Sequence, residues 1–418
     1  MSGILAKKLA RFKPGMLYAG VDLGLDRNEV KVIDERARQV GKLAFPHNQD
    51  GYDYFERCLQ VLVERHGATG VVVGMEPTNY FWTLLAADQE RRGRPYHLVN
   101  AFTVHRHREG DQLDRAKDDQ RDAFFVADLL RTGKYTETRL LHGLYADLRY
   151  WVDLHDRLQR DLAREQTLIR NTVGRLFPEL ATVFNDFAGH TVTAMLRNHA
   201  AAAAIKDMPL ETFLAAVRAD SHSKRLLLSK LRQAHRLATK SVGLTEGIDA
   251  LQSAIRLYLE KRQLLHRQLS EVRAALSKTF LALPEASSLL SVPGLGLISS
   301  ATILAEIGNP QYYGNARQLI KLAGTQPTPN TSGRKSRSKT PMSHQGRPRL
   351  RTALYFACLR LIQLDDTFAR DYRYFQHREH NPLCKMQALG ALMNKLLRIL
   401  WSLMRNHTLY QPALNNAA

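Results

Sequence analysis

The chain is 418 residues long, with 60 Lys and Arg against 40 Asp and Glu, a formal net charge of +20 and a pI near 10. Apolar residues make up 44% and charged residues 24%, which excludes a wholly disordered protein. So large a basic excess selects a polyanionic partner, nucleic acid first, without fixing a fold.

The first sixteen residues are basic and mixed, without the apolar core of a signal peptide. No apolar run reaches the ~18–20 residues of a membrane span. Cys58, Cys358 and Cys384 are scattered, with no CxxC spacing, which excludes a zinc ribbon and a disulfide framework and fits a reducing compartment. A soluble, intracellular protein with no membrane partner is expected.

Residues 17–130 read as α/β. Strands are predicted at Leu17–Asp22, Glu29–Ile33, Lys42–Phe45, Val71–Met75 and Tyr96–Val99, the fourth being a β-branched run typical of a buried central strand. Helices are predicted at Tyr52–Arg65, Phe81–Arg91 and roughly Arg115–Leu130. From Leu144 to Leu176, and again from Leu251 to Leu283, apolar residues recur at alternating spacings of four and three. This predicts two long amphipathic helices, forming either an antiparallel pair or an oligomerising coiled coil. Polar members of the stripe, His155, Glu165 and Arg262, argue against an ideal zipper. Residues 185–245 between them hold a helical insert, with helices at Ala200–Ile205, Leu210–Ala219 and Lys224–Ala238. Residues 284–418 are mostly helical, with a basic Gly/Pro/Ser-rich loop at 325–349 and helices at Leu350–Ile362 and Lys385–Met404.

Four acids form the first constellation. Asp22 ends the first strand and Glu76 follows the β-branched strand. Asp119 and Asp122 are spaced i, i+3 and share one face of a helix. On this topology the four converge at one edge of the sheet, where they need a countercharge. Hard oxygen donors of this kind suit Mg²⁺ or Mn²⁺, and two such ions about 4 Å apart assist phosphodiester displacement. Singly, each acid reads as readily as a turn, cap or solvated residue. Asp118 competes with Asp119 for the inward position, but only Asp119 has the three-residue spacing to Asp122. Asp26 and Asp114 read as solvated loop acids.

The second constellation surrounds Ser332. Between Arg334 and Arg351 lie seven basic residues (Arg334, Lys335, Arg337, Lys339, Arg347, Arg349 and Arg351) and no acid. The bland reading is a nucleic-acid contact loop with a Ser-Gly turn. The sharper one makes Ser332 a nucleophile on a phosphodiester, steadied by Arg and Lys. Gly294 and Gly296, between two apolar helical segments, resemble the turn of a helix-hairpin-helix, which offers backbone N–H groups to a phosphate; a plain helical turn is the alternative. His105-Arg106-His107-Arg108 reads as a solvated or phosphate-facing loop, with Arg106 and Arg108 as nucleic-acid contacts. Trp82 and Trp151 read as core or seam residues.

Together these motifs resemble the DEDD-type transposases of bacterial insertion sequences, the IS one-ten family with its IS eleven-eleven branch, and the related Piv DNA invertases. The resemblance spans nearly the whole chain. It includes the runs SVPGLGLISSATILAEIG, LAGTQPTPNTSG and GRPRLRTALYFACLRL, and extends to Phe368, Tyr372, Lys385 and Lys395. It implies a RuvC-type, RNase H-like nuclease domain over 1–143, a helical coiled-coil domain over 144–283 with its insert at 185–245, and a C-terminal transposase domain over 284–418. It also implies site-specific recombination of donor and target double-stranded DNA, guided by a structured non-coding RNA from the element. Asp22, Glu76, Asp119 and Asp122 would be metal ligands for Mg²⁺, and Ser332 a nucleophile that becomes joined to DNA. Different protomers of a dimer or tetramer would contribute the two parts, in a bacterial, nucleoid-associated protein. The helical insert departs from the family pattern.

Three rivals remain. A Holliday-junction resolvase would share the acids but use water. A non-catalytic nucleic-acid scaffold would tolerate loss of an acid, yet all four are present. An actin-like sugar kinase needs a second Asp-x-Gly phosphate loop, and none is convincing.

Overall fold

The computed structural model describes residues 8–77, 80–111, 119–136, 139–221, 225–328, 331–332, 335–336 and 341–412, with the backbone alone at 108–111, 119–120, 331–332 and 335–336. Contacts divide the chain into two compact units, Met1–Leu140 and Leu141–Ala418.

The first unit is built on a five-stranded mixed sheet. Strands β1 (Met16–Leu23), β2 (Asn28–Ile33) and β3 (Gln39–Phe45) form an antiparallel meander, and β4 (Gly70–Met75) and β5 (Tyr96–Leu98) add in parallel on the other side of β1, giving the order β3-β2-β1-β4-β5. Burial on both faces explains why β1 and β4 read as continuous apolar runs rather than alternating ones. One face buries Leu17, Ala19, Val21, Val71, Val73 and Met75 with residues of α1 (Gln49–Arg65) and α2 (Phe81–Arg91). The opposite face buries Tyr18, Ile33 and Val72 against α4 (Asp119–Arg131). Trp82 packs on the first of these cores, as expected.

The segment carrying His105-Arg106-His107-Arg108 is not a loop. It is helix α3 (Ala101–Asp111), opened by Asn100, whose side-chain oxygen accepts from Phe102 N at 2.9 Å. Among its described side chains only Val104 is buried, so the segment shows no apolar period by which to recognise a helix. The His107 ring packs edge-on to Phe125 and its Nε2 lies 3.0 Å from Asp128 of α4, so this histidine faces the protein.

The second unit is helical, apart from a short β-ribbon. Its spine is α5 (Leu144–Leu176) against α11 (Ile248–Leu281). Leu148 and Val152 share a core with Leu276 and Phe280, Leu158 and Leu162 with Leu265 and Leu269, and Ile169 and Val173 with Ile255 and Leu259. Ascending numbers meet descending ones, so the two helices form an antiparallel pair within one chain. Trp151 lies in that seam. The insert between them comprises α6 (Leu180–Val183), α7 (His190–Asn198), α8 (Ala202–Ile205), α9 (Leu210–Ala219) and α10 (Leu228–Ala238), which share a core with the distal end of the pair. Helices α6 and α7 lie outside the helices that the sequence predicts for this region.

At the other end of the pair, α12 (Ala286–Leu290), α13 (Leu297–Ile307), α14 (Ala316–Ala323), α15 (Pro348–Leu364), α16 (Asp366–His377) and α17 (Lys385–Asn406) enclose the largest core. A buried charge network ties two of them, α13 and α15, to α5. Glu306 of α13, 2% exposed, meets Arg149 of α5 at 2.8 Å and Arg349 of α15 at 3.3 Å.

Candidate active site

Asp22 and Glu76 are brought together by strand register. Val21 pairs with Met75 in the parallel β1–β4 ladder, so the next residue of each strand, Asp22 and Glu76, lies beside the other at the carboxyl ends. Side chains alternate along a strand. Since Leu17, Ala19 and Val21 face one core and Tyr18 faces the other, Gly20 and Asp22 lie on the α4 side, and Gly74 and Glu76 match them on β4.

Two glycines let α4 close on that face. A β-carbon at Gly20 would stand 2.1 Å from the Ala123 carbonyl oxygen and 2.4 Å from the Ala127 nitrogen. One at Gly74 would stand 3.0 Å from the tip of Leu130. The later residues of α4 run back toward Tyr18 and Val72, which leaves its first turn, Asp119 to Asp122, over the strand ends that carry Asp22 and Glu76. Asp122, 9% exposed, immediately precedes the residue that touches Gly20. Three of the four predicted acids therefore share one edge of the sheet. The fourth, Asp119, starts the helix, but its side chain lies outside the described set, as do Asp114 and Asp118.

Among the described residues, no group of three or more His, Cys, Asp or Glu is placed to hold a metal ion. What the edge offers is a donor set of hard carboxylate oxygens on three backbone elements, the chemistry that Mg²⁺ and Mn²⁺ take.

Two features of this edge were not singled out from the sequence. Glu29 is the cross-strand partner of Asp22 and so shares its face; it is paired to Arg27 at 2.7 Å. Alternation along β2 hints at that face, but the register with β1 is needed to place it. His47 lies with its Nε2 3.0 Å from the carbonyl of Gly24, so Nε2–H donates, and Nδ1 accepts from the Tyr52 hydroxyl at 3.2 Å. Stacked on Phe81 at 4.3 Å, this ring pins the turn that follows Asp22.

In the second unit, Ser332 lies on a β-ribbon. Thr331 pairs with Ser336 and Ser332 with Lys335, while nearer the base Pro327 bridges Met342 and Thr328 N donates to Pro341 O at 2.8 Å. The base is clamped. Thr325, 2% exposed, donates its hydroxyl to Asn394 of α17 at 2.6 Å, and Gly324 (φ 68°) meets Gly346 so closely that a β-carbon there would stand 2.9 Å from the Gly346 nitrogen. Nothing is described of the Ser332 and Lys335 side chains, and Arg334, Arg337 and Lys339 lie outside the described residues, as does the side chain of Arg108.

The other basic candidates divide. Arg347 donates to the Glu306 carbonyl oxygen, and burial with the nearby Arg149 pushes its pKa down. Arg349 pairs with Asp153 and Glu306. Arg351 donates to the carbonyls of Ala323, at 2.9 Å, and His344. These three guanidiniums serve contacts within the unit. Arg106 is exposed and stacks on the exposed Phe102 at 4.4 Å, an arrangement suited to a base or a phosphate. Gly294 (φ 78°) allows its turn to approach Arg360, whose Cβ would lie 2.8 Å from an added carbon, whereas the space around Gly296, at the start of α13, is open. Lys395 pairs with Asp371 over the Phe368 ring, and Tyr372 packs on the core of the unit.

A DEDD-type IS110 model, described as a transposase, matches residues 19–178, and a second, described as the transposase IS116/IS110/IS902 family, matches residues 286–373. The chain is 31% identical over 156 residues to the IS900 42 kDa protein of Mycobacterium paratuberculosis, a match spanning 37% of this chain and 38% of that protein. It is 23% identical over 302 residues to the IS110 43.6 kDa protein of Streptomyces coelicolor, covering 71% and 72% of the two chains. It is 26% identical over 122 residues to the pilin gene-inverting protein of Moraxella bovis, covering 29% and 37%.

Proposed function

The chain belongs to the IS110-type family of DNA transposases, and from that premise we propose that it cleaves and rejoins DNA through a phosphoserine link formed by Ser332. The observation that carries this reading is the closure of α4 on Gly20 and Gly74, which sets Asp122 over Asp22 and Glu76. We read the first unit as RNase H-like of the RuvC type, on its mixed sheet with β1 at the centre and α4 across it.

Asp22, Glu76, Asp119 and Asp122 would hold the divalent cation that a DEDD family implies, Mg²⁺ or Mn²⁺. When bound, it supplies positive charge for a phosphodiester in displacement. The serine does the covalent work: its oxygen bonds to phosphorus as the bond from phosphorus to the departing deoxyribose oxygen breaks, and the serine proton ends on that oxygen. One ester replaces another, so a free DNA hydroxyl can reverse the step on a new strand without ATP. The ribbon around Ser332 suits this role because its base is fixed to α17 while its basic residues accompany the serine. Lys335, Arg334, Arg337, Lys339, Arg106 and Arg108 are the proposed contacts to donor and target DNA and to a structured RNA guide. The net charge of +20 supports such partners. A dimer or tetramer with acids and serine from different protomers completes the reading. No described helix is long and apolar enough to cross a membrane.

The test is DNA cleavage by wild type, Asp22→Asn and Ser332→Ala with Mg²⁺ present. The reading expects both variants to lose strand cleavage. Cleavage that survives Ser332→Ala and fails in Asp22→Asn would instead make water the nucleophile, as in a junction resolvase.

A further inference from the structure

The insert contains a cavity of about 710 Å³, bounded by α7, the end of α9 and α11. It takes no part in the proposed reaction. Arg262 is its decisive feature. This residue belongs to the apolar stripe of α11 by spacing, yet its guanidinium turns to the insert, 6% exposed, with Nη1 donating to Phe187 O at 2.6 Å and Nη2 to Thr193 Oγ1 at 2.7 Å. Both acceptors are neutral. A guanidinium has five N–H donors, so most of its donor capacity remains, and among the described residues no carboxylate lies within ion-pair distance.

Of the other buried charges, Glu285 and Asp365 rest on neutral donors, as Arg262 rests on neutral acceptors, while three are ion-paired. Glu306 has arginines, Asp88 has Arg91 and Arg92, and Glu165 has Lys261. Burial disfavours the charge on Arg262, the nearby Asp186 carboxylate offsets this only in part, and arginine cannot escape the remainder by losing its proton. The cavity wall adds more positive charge. Arg256 is exposed and forms no ion pair among the described residues, its Nε resting on the Arg197 carbonyl at 3.3 Å; Arg197, His190 and His266 complete the basic side. Of the two acids in the wall, Asp220 accepts from the Asn198 amide at 2.8 Å and Glu260 is exposed.

We propose that this cavity binds a phosphate group as part of a nucleotide unit, with Arg262 as its buried anchor and Arg256 as its outer clamp. Planar guanidinium forks match phosphate oxygens two at a time, and the volume leaves room for the attached sugar and base. The phosphate can come from a nucleic-acid strand threading the cavity or from a free nucleotide.

The full chain separates these sources with two probes, a short fluorescein-labelled single-stranded RNA and ATP. Arg262→Met should fold with an unchanged or raised melting temperature, because it removes a buried charge that has no ion-pair contact among the described residues. With a strand as the source, Arg262→Met and Arg256→Gln each weaken RNA binding about tenfold and reduce the slope of log affinity against log salt by ~0.7. With a free nucleotide as the source, ATP raises the melting temperature of wild type but not of the variants. The proposal is overturned if folded variants match wild type with both probes. It is equally overturned if Arg262→Met unfolds the protein while Arg256→Gln binds both probes as wild type does, since Arg262 would then be structural.

Discussion

A β-carbon at Gly20 would meet the Ala123 carbonyl oxygen at 2.1 Å, and that atom belongs to a helix backbone that cannot rotate away. Gly20→Ala must therefore lift α4 off β1. We expect a stability loss of about 2–3 kcal/mol from overpacking, seen in denaturant unfolding, and a loss of DNA cleavage under conditions where the variant is still folded. Normal cleavage would show that the approach of α4 is not what assembles the acids. A second residue-scale expectation concerns pH. Burial, with Arg273 nearby, lowers the pKa of His155 from 6.5, and burial lowers that of His199. The folded chain thus holds fewer protons than the unfolded chain just below pH 6.5, so stability is full above that pH and falls as pH drops through it. His155 Nε2 also accepts from Arg273 Nε at 3.3 Å, a contact that protonation abolishes. Melting temperatures between pH 8 and pH 5 should fall more for wild type than for His155→Gln.

Helices α5, α13 and α15 are joined through Glu306, whose carboxylate meets arginines from two neighbouring helices in a nearly dry site. Glu306→Ala removes the buried anion that Arg149 and Arg349 share and leaves them only the more exposed Asp153 between them. A cost of about 3–5 kcal/mol is expected, measured by urea unfolding, whereas a loss below ~1 kcal/mol would mean that water already screens the network. This element also marks where the sequence could and could not be read. The strands of the first unit were legible because β-branched runs and turn residues announce them, and the long pair because its apolar spacing persists over many turns. Arg347 and Arg349 were not legible as internal partners. Asp153 lies 196 residues from Arg349, and in sequence that arginine sits in a basic run beside Ser332. Likewise α3, without an apolar period, gave no helical signal. The order of Asp22, Glu76, Asp119 and Asp122 could be read along the chain, but their convergence needed the β1–β4 register and the two glycines.

At the scale of the whole molecule, a charge of +20 sets how binding responds to salt. If roughly six phosphates are contacted, affinity for DNA should fall by about a thousandfold between ~50 and ~200 mM salt; a flat response in a filter-binding or anisotropy titration would argue against a nucleic-acid role. The central claim is narrower, that Ser332 becomes esterified to DNA with the help of the acidic edge. The most direct measurement mixes purified protein, Mg²⁺, RNA transcribed from the element's flanking sequence and DNA carrying the element's end junction, then resolves the products on a denaturing gel. The account predicts a covalent protein–DNA band in wild type that is absent from Ser332→Ala and from Asp22→Ala. A band that persists in Ser332→Ala, or cleaved DNA that never carries protein, would contradict it.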